Sequence, residues 1–321
     1  MPVEQLIQLD ARLDSWCEGD TRRDEIARTV KAIASACCSI AAMLADGEPA
    51  ADARAHDAIT AAAAIAPVAE LWTASLDSSV HTGGGGSLAL VVKPLDGALG
   101  PTGMRGTIFS ILGGPAPFLA RGRRQVAAGL VVYGPATSLA LTVGAGTDQY
   151  LLNGRTGEGR FVRAVGLPTS TRDCAIDLSR YRRWPASVRT YVDDLFAGSD
   201  GPRGADADLR WSGVLSADAL RILNCGGVFV SPPEERVGGA DGRLRLIDEA
   251  NPLAFLVEQA GGMATDGTER LLDKRPSRLQ QRTPMIFGDP SAVTTFGHYM
   301  SKQPYSGEHS PLFGRRGLFR A

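Results

Sequence analysis

The sequence predicts a mixed α/β protein that folds into two lobes. An amphipathic helical pattern begins the chain, short apolar segments separated by Gly- and Pro-containing turns follow, and helical segments return in the second half. The chain has 321 residues, which is enough for two packed cores. We place the division at residue 166, so that the predicted lobes are residues 1–165 and 166–321.

The first elements are predicted to be helices. Apolar residues recur alternately four and three positions apart over residues 26–44, after a capping residue at Asp20 or Thr21. The Ala-rich residues 50–74 also have helical composition. Pro67 is expected to kink or divide this second helix, because proline cannot donate a backbone hydrogen bond.

Short apolar segments indicate strands. They are predicted at residues 88–92, 106–112, 126–133 and 139–143, and again at 227–230 and 244–247. Helices are predicted at residues 185–196 and 216–223. A further helix is predicted to begin at Asn251, since Asn is a good cap, Pro252 suits the first helical position and Gly261 follows the apolar face.

Composition excludes several classes of partner. Thirty-four Lys and Arg residues against 35 Asp and Glu residues leave a net charge of −1, so no overall field attracts nucleic acid or an anionic membrane. No segment is expected to reach the roughly 20 apolar residues that span a bilayer. The five cysteines form no CxxC pair and no metal-like spacing with the four histidines, which indicates reduced thiols in a cytoplasmic protein and argues against a zinc site.

The residues that suggest chemistry lie in two segments far apart in the chain. Leu95-Asp96-Gly97 follows a predicted strand, so Asp96 projects from a strand end while Gly97 lets backbone amides approach an anion. Glu249 lies just before the positive end of the helix predicted at Asn251. From the residue pattern alone, an ordinary Asp-Gly turn and a helix-end charge remain the alternatives to metal ligands.

Segments in order over residues 20–293 resemble class I fructose-1,6-bisphosphatases. They include GTIFSI (106–111), QVAAG (125–129), EANP (249–252) and AGGMATDG (260–267). The resemblance implies a layered α/β/α/β/α two-lobed sugar-phosphatase fold with mixed sheets, usually assembled as a homotetramer. It also implies a cytoplasmic hydrolase of gluconeogenesis or the Calvin cycle that uses magnesium or manganese ions to release the 1-phosphate of fructose 1,6-bisphosphate.

The resemblance implies roles for individual carboxylates. Asp96 and Glu249 match metal ligands of the family, and Leu95 would offer its carbonyl group to the same ions. Asp77 matches a glutamate ligand as a shortened remnant, and Asp57 matches a third, outer carboxylate. The predicted catalytic residues are therefore Asp96, Glu249 and Asp57, and the predicted metal ligands are Asp96, Leu95, Glu249 and Asp77.

The resemblance also implies substrate-binding residues. Gly97 belongs to the phosphate-binding turn, and Arg210 matches an arginine that reaches the 6-phosphate of a neighbouring subunit. Arg243 replaces a lysine that contacts the sugar bisphosphate, which keeps the charge but changes its shape. The predicted partner is a sugar bisphosphate.

Several positions depart from the family pattern. Lys93 stands where the family has an aspartate that bridges metal ions, and Leu76 stands in place of a glutamate ligand. Asp177 replaces an asparagine that contacts the 6-phosphate. Trp211 and Ser231 replace two substrate-side tyrosines.

The charge reversal at Lys93 bears most directly on function. Two unit charges about 4 Å apart interact by about 4 kcal/mol at an effective dielectric near 20, so this lysine would strongly repel a magnesium ion. One hypothesis is that its ammonium takes part of the metal's place and neutralises Asp96 and Glu249. The sequence therefore leaves a weak phosphatase and a catalytically degenerate paralogue, which binds sugar phosphate or regulates an active homologue, as alternatives. A nucleic-acid module around residues 180–184 is a third and remote alternative.

Overall fold

Three helices come first in the structure, which is a computed structural model that describes residues 8–47, 50–75, 79–83, 85–97, 103–114, 117–169, 172–202, 204–236 and 239–301. They are α1 (Leu9–Cys17), α2 (Thr21–Ala45) and α3 (Ala51–Ile65). The predicted cap of α2 is confirmed, because the Asp20 carboxylate accepts hydrogen bonds from the backbone N–H groups of Arg22 and Arg23 at 2.8 and 3.0 Å.

Helix α2 is long and apolar enough to cross a membrane by length and composition, so the expectation that no segment would reach this limit was wrong. However, 56% of the apolar part of the helix is buried inside the protein. Its buried residues, among them Val30 and Ile33, belong to the same core cluster as Leu90 of the first sheet. This burial accounts for the composition of α2 as that of a core helix.

An eight-stranded mixed sheet follows the helices. Its strands are β1 (Val68–Trp72), β2 (Val80–His81), β3 (Leu88–Asp96), β4 (Arg105–Gly113), β5 (Gln125–Tyr133), β6 (Thr137–Thr142), β7 (Thr147–Leu152) and β8 (Gly159–Val165). They lie in the order β2-β1-β3-β4-β5-β6-β7-β8, and only the β1–β3 pair among these is parallel. The four strands predicted in this region are confirmed as β3 to β6.

The second half of the Ala-rich stretch is a strand, which corrects the prediction of helix through residue 74. Helix α3 ends at Ile65, and β1 begins at Val68, directly after Pro67. Leu71 and Trp72 are buried and pair in parallel with β3. Pairing and burial in the sheet therefore override the helical composition of this segment.

In the part that the structure describes, the second half of the chain contains a five-stranded sheet, two two-stranded sheets and four α-helices. Its strands are β9 (Asp173–Ile176), β10 (Asp208–Leu209), β11 (Val228–Ser231), β12 (Glu234–Arg236), β13 (Gly239–Asp241), β14 (Leu244–Arg245), β15 (Met263–Thr265), β16 (Arg282–Thr283) and β17 (Met285–Gly288), and its helices are α4 (Ala186–Ala197), α5 (Leu215–Cys225), α6 (Asn251–Gln259) and α7 (Pro290–Ser301). The five-stranded sheet has the order β10-β9-β11-β17-β15, while β12 pairs with β13 and β14 with β16.

The elements stack in five layers. Helices α2 and α3 share a buried cluster with one face of the first sheet. Helices α5 and α6 share a cluster with residues of both sheets, so they form the middle layer. Helices α4 and α7 cover the outer face of the second sheet. This order is the α/β/α/β/α layering that the resemblance implies.

The segment before α6 differs from the prediction in two ways. Only Leu244–Arg245 is extended, because the next five residues, Leu246–Ala250, form a single π-helical turn that continues into α6. Asn251 therefore already has helical backbone angles, with φ of −62° and ψ of −48°, and the predicted Asn cap is wrong. A π-turn of this kind often occurs at functional sites.

Gly106 of β4 allows the first turn of α5 to touch the first sheet. A Cβ atom at Gly106 would lie 2.2 Å from Ser216 Oγ and 2.5 Å from the Val131 carbonyl oxygen. We expect Gly106→Ala to lower the free energy of unfolding by about 1–3 kcal/mol, because α5 would have to move outward. Urea denaturation measures this loss. The control is Gly134→Ala, whose Cβ would meet nothing within 4 Å, and an equal loss in both variants would contradict the prediction.

Candidate active site

A bulge in β3 brings the side chains of Lys93 and Asp96 together. The strand pairs with β4 through Lys93 and Ile108 and then through Asp96 and Gly106, so it carries one residue more than its partner between these pairs. Pro94, which cannot donate a hydrogen bond to the sheet, lies within the bulge. Residues three apart in a regular strand point to opposite faces, and the extra residue resets this alternation. Lys93 Nζ consequently lies 2.6 Å from Asp96 Oδ1.

Glu249 reaches the same ammonium group from the other half of the chain. It lies in the π-turn Leu246–Ala250, and its Oε1 atom is 2.6 Å from Lys93 Nζ. The two residues are 156 positions apart in the sequence. This ion pair therefore joins the first sheet to the segment that leads into α6.

All four oxygen atoms of the two carboxylates accept hydrogen bonds from the protein. Besides Lys93, Asp96 accepts a hydrogen bond at Oδ2 from the backbone N–H of Ser216, at 2.7 Å. Glu249 accepts one at Oε2 from the backbone N–H of Arg245, at 2.6 Å. Asp96 and Glu249 are only 4% and 5% exposed. The pair is therefore a buried and fully hydrogen-bonded arrangement, which is the condition for keeping such charges inside a protein.

Arg245 and Asp248 extend this buried charge cluster. The Nε atom of Arg245 lies 2.9 Å from both carboxylate oxygens of Asp248, and its Nη2 atom lies 3.4 Å from Glu249 Oε1. Burial raises the pKa of Asp248, while the hydrogen bond from Arg245 opposes that shift. Burial alone would lower the pKa of Lys93, but attraction to Glu249 and Asp96 outweighs it and raises that pKa, so Lys93 is an ammonium at neutral pH.

The residues at this point do not fit a divalent metal ion. Within the described residues, no group of three His, Cys, Asp or Glu side chains is arranged to hold a metal. The two carboxylates that would serve as ligands already bind the Lys93 ammonium at 2.6 Å. A doubly charged ion at about 4 Å from this ammonium would be repelled by roughly 8 kcal/mol at an effective dielectric near 20.

Two cavities open beside Lys93. One, of about 380 Å³, is lined by Asp96 and Glu249 and by the cations Lys93, Arg180, Arg243 and Arg282. Trp211, Phe229 and Ser231 form part of its apolar and small-residue wall. The other cavity, of about 590 Å³, is lined by residues of α3 and by Lys93 and Arg245. Lys93 thus lies at the boundary between the two spaces.

Two of the cavity arginines are already paired with carboxylates. Asp177 accepts hydrogen bonds from Arg180 Nε at 3.1 Å and from Arg243 Nη1 at 3.0 Å. Glu234, which is 1% exposed, accepts from Arg180 Nη1 at 3.1 Å and lies 3.8 Å from Arg243 Nε. Burial alone would raise the pKa of Asp177, but hydrogen bonds from Ser179 and Arg180 and the charge of Arg243 outweigh it and lower that pKa. Asp177, Arg180, Glu234 and Arg243 therefore form a quartet of charged groups in the wall of the cavity.

The other predicted site residues lie in different places. Gly97 has a φ of +90°, and a Cβ atom there would lie 2.6 Å from the Met104 carbonyl oxygen, so the turn requires glycine. Leu95 and Asp57 line the larger cavity, whose lining does not include Glu249. Arg210 is exposed and pairs with Asp173 at 3.1 Å, outside the smaller cavity. Asp77 and Leu76 lie outside the described residues.

Sequence reasoning missed several residues of this site. Arg245 and Asp248 were not considered, although their spacing of four and one positions from Glu249 is visible in the sequence. From the sequence alone, Arg180 belongs only to the basic segment 180–184, as part of the remote nucleic-acid alternative. Trp184 of that segment is 1% exposed and Arg180 is paired in the quartet, so neither side chain lies on an open surface.

Known proteins resemble this chain along nearly its whole length. Residues 167–301 match the family model described as fructose-1-6-bisphosphatase, C-terminal domain. The chain is 40% identical over 343 residues to the class 1 fructose-1,6-bisphosphatase of Rhodopseudomonas palustris, covering 99% of this chain and 100% of that protein. The chain belongs to the class 1 fructose-1,6-bisphosphatase family.

Further comparisons agree with this membership. The class 1 fructose-1,6-bisphosphatase of Sinorhizobium medicae is 44% identical over 269 residues, covering 80% of this chain and 76% of that protein. A crystal structure of Leishmania major fructose-1,6-bisphosphatase in holo form has a TM-score of 0.86 at 24% identity and covers 93% of this chain and 100% of that one. The structural likeness supports the fold alone.

The family resemblance predicted from the sequence is confirmed, and so is the two-sheet α/β fold. Members of the fructose-1,6-bisphosphatase family are phosphoric monoester hydrolases, which confirms the predicted enzyme class. The individual roles of Asp96, Glu249, Asp57 and the other site residues stay predictions.

We expect Arg245→Met to lower the free energy of unfolding by about 3–5 kcal/mol, because Asp248, which is fully buried, would lose its charged partner. Methionine preserves much of the side-chain volume, so the loss reports mainly on charge. The measurement is urea denaturation at pH 7.

The matched control is Arg270→Met. Arg270 pairs with Glu258 and is 50% exposed, so its removal should cost less than about 1 kcal/mol. Similar losses in the two variants would show that Arg245 does not hold a buried carboxylate.

Proposed function

We propose that this chain hydrolyses the 1-phosphate of a sugar 1,6-bisphosphate, and that the sugar is fructose, as the names of its relatives indicate. One observation carries the proposal: four cations and two buried carboxylates line a single cavity of about 380 Å³ within this fold. A cavity of this size with convergent charged groups suits a small phosphorylated ligand. Reaction in the cytoplasm and assembly as a homotetramer, in which Arg210 would reach a neighbouring subunit, belong to the same proposal.

The proposed roles follow from the charges around the cavity. Lys93 holds the phosphate that reacts, while Arg243 and Arg282, which line the same cavity, bind the distal end of the sugar. Gly97 keeps the role in the phosphate-binding turn that the resemblance implies, although it is not among the residues that line the cavity. Asp96 and Glu249 fix the position of the Lys93 ammonium through their 2.6 Å ion pairs. Asp57 stays an outer carboxylate in the neighbouring cavity. We also retain residue 166 as the proposed division between the lobes.

The proposed reaction adds water across a phosphoester. A bond forms between the water oxygen and phosphorus, the bond between phosphorus and the C1 oxygen of the sugar breaks, and that oxygen receives a proton. The Lys93 ammonium stabilises the negative charge that collects on the phosphoryl oxygens. The resemblance implies magnesium or manganese, but because the buried cluster does not fit such an ion, no step is assigned to a metal.

A second candidate function is a catalytically degenerate paralogue that binds sugar phosphate or regulates an active homologue. The observation that favours it is the pair of 2.6 Å contacts from Lys93 to Asp96 and Glu249. A single positive charge that is already neutralised stabilises developing phosphoryl charge less than divalent ions do.

Release of inorganic phosphate from fructose 1,6-bisphosphate separates the two functions. The full chain is assayed at high concentration with EDTA, with magnesium and with manganese, and binding is measured in parallel by calorimetry. Hydrolysis that is lost in Glu249→Gln supports the phosphatase. Binding without release supports the degenerate paralogue. If the chain neither binds nor hydrolyses any sugar bisphosphate, both functions are rejected.

We expect Asp177→Asn to tighten binding of fructose 1,6-bisphosphate by about tenfold, equivalent to ~1.4 kcal/mol. The variant removes one of the two carboxylates that Arg180 and Arg243 share, so Glu234 alone balances them and their remaining positive charge is available to a second phosphate. The pKa of Asp177 is lowered, so the native residue is anionic at every pH above its ordinary value of 3.8. The ratio of the two dissociation constants should therefore stay constant between about pH 7 and 9, where the phosphates are dianions.

The control for this change is Asp208→Asn. Asp208 pairs with Arg172 at 3.6 Å in the same half of the chain but does not line the cavity. Its dissociation constant should match that of the native chain. Weaker binding in Asp177→Asn would mean that the quartet orders the arginines for the ligand instead of occupying them.

A further inference from the structure

We propose that the Lys93 ammonium is the resident cation of this site, and that the chain binds the phosphate of its ligand through Lys93 without a divalent metal ion. The inference rests on the proposed function for the identity of the ligand. It concerns a different property, namely which cation the phosphate meets.

The first argument is the hydrogen-bonding capacity of the ammonium. A lysine ammonium has three donors. Two are directed to Asp96 and Glu249 at 2.6 Å, and the side chain keeps 19% of its surface exposed. Because Lys93 also lines the cavity of about 380 Å³, the third donor is available to a phosphate oxygen there.

The second argument is that the protein holds both carboxylates for a cation at one position. The oxygens of Asp96 and Glu249 that face away from Lys93 accept hydrogen bonds from the backbone N–H groups of Ser216 and Arg245. These donors belong to α5 and to the segment before α6, so rigid elements fix the carboxylates around the ammonium. Fixed oxygens that converge on one point favour one small cation at a time.

The third argument is the charge already present. Arg245 adds a second positive charge 3.4 Å from Glu249 Oε1 and 2.8 Å from Asp248. Lys93 and Arg245 together balance two of the three carboxylate charges of Asp96, Glu249 and Asp248, so a divalent ion that entered beside them would be attracted by one net negative charge instead of three. The two resident cations therefore remove most of the attraction of the cluster for a divalent ion, and the attraction for a phosphate comes from the third donor of Lys93 and from Arg282 in the cavity wall.

Manganese binding to the native full chain, stripped with EDTA and then dialysed, tests the metal part of the proposal. Electron paramagnetic resonance should detect no manganese bound by the native chain at manganese concentrations up to about 1 mM. Any dissociation constant for manganese would therefore be weaker than about 1 mM. Lys93→Asp should bind one manganese ion per chain, since three carboxylates would then converge. Lys31→Asp is the matched control, because it makes the same change of charge at a lysine that pairs with Asp14 at 2.6 Å away from both cavities, and it should bind no manganese.

Calorimetry with fructose 1,6-bisphosphate and with inorganic phosphate tests the anion part. The dissociation constant of the native chain should change by less than about twofold between EDTA and magnesium. Lys93→Gln, which removes the charge but keeps a polar side chain, should weaken phosphate binding by about tenfold in both buffers. Circular dichroism shows whether each variant is folded, and the native-chain measurements need no variant.

One manganese ion bound tightly by the native chain, or phosphate binding that disappears in EDTA, would overturn the proposal. Either result would mean that the Lys93 side chain moves aside, for example into the larger cavity, when a metal ion enters. Phosphate binding without hydrolysis would reject the phosphatase but leave this inference intact. Absence of any bisphosphate binding would reject the proposed function, while the manganese measurement would still decide whether a metal occupies the position of Lys93.

Discussion

The contact of the Lys93 ammonium with Asp96 and Glu249 is the interaction on which the rest of the site depends. It connects the end of β3 to the turn before α6, and therefore connects residues 156 positions apart. Removing water from three charged groups is costly, and the cost is offset only because every carboxylate oxygen also has a donor. The same contact thus holds two layers together and sets the electrostatic potential of the adjoining cavity.

Charge matching extends from this centre into the cavity wall. Arg180 and Arg243 are balanced by Asp177 and Glu234, just as Lys93 is balanced by its two carboxylates. Among the described residues, Arg282 has no carboxylate within 4 Å, although it donates a hydrogen bond to the Arg243 carbonyl oxygen. The attraction of the cavity for a phosphate therefore depends on how easily the paired arginines exchange a carboxylate for the ligand, and not on the number of cations alone.

Much of the fold was predictable because its signals are local. The Asp20 cap and the spacing of apolar residues define α2, and the alternating segments define β3 to β6. The strand after Pro67 and the helical state of Asn251 depend on sheet pairing and on the π-turn, which local preference does not reveal. In the site, the family motifs pointed to Asp96 and Glu249, but their distance from Lys93 depends on a bulge and a turn whose geometry is set by tertiary contacts.

Family membership and the chemistry of the centre answer different physical questions. The scaffold needs the buried charges of Asp96 and Glu249 to be neutralised, and a lysine ammonium with 2.6 Å contacts does this as a metal ion would. Phosphoryl transfer needs more, because a positive charge must remain available to the oxygens that become more negative in the transition state. This chain keeps 40% identity to a class 1 fructose-1,6-bisphosphatase and the same fold, and our proposal is that one residue at the centre, Lys93, supplies the cation. Under the proposed function, the amount of charge that Lys93 retains for a ligand determines whether the site catalyses or only binds.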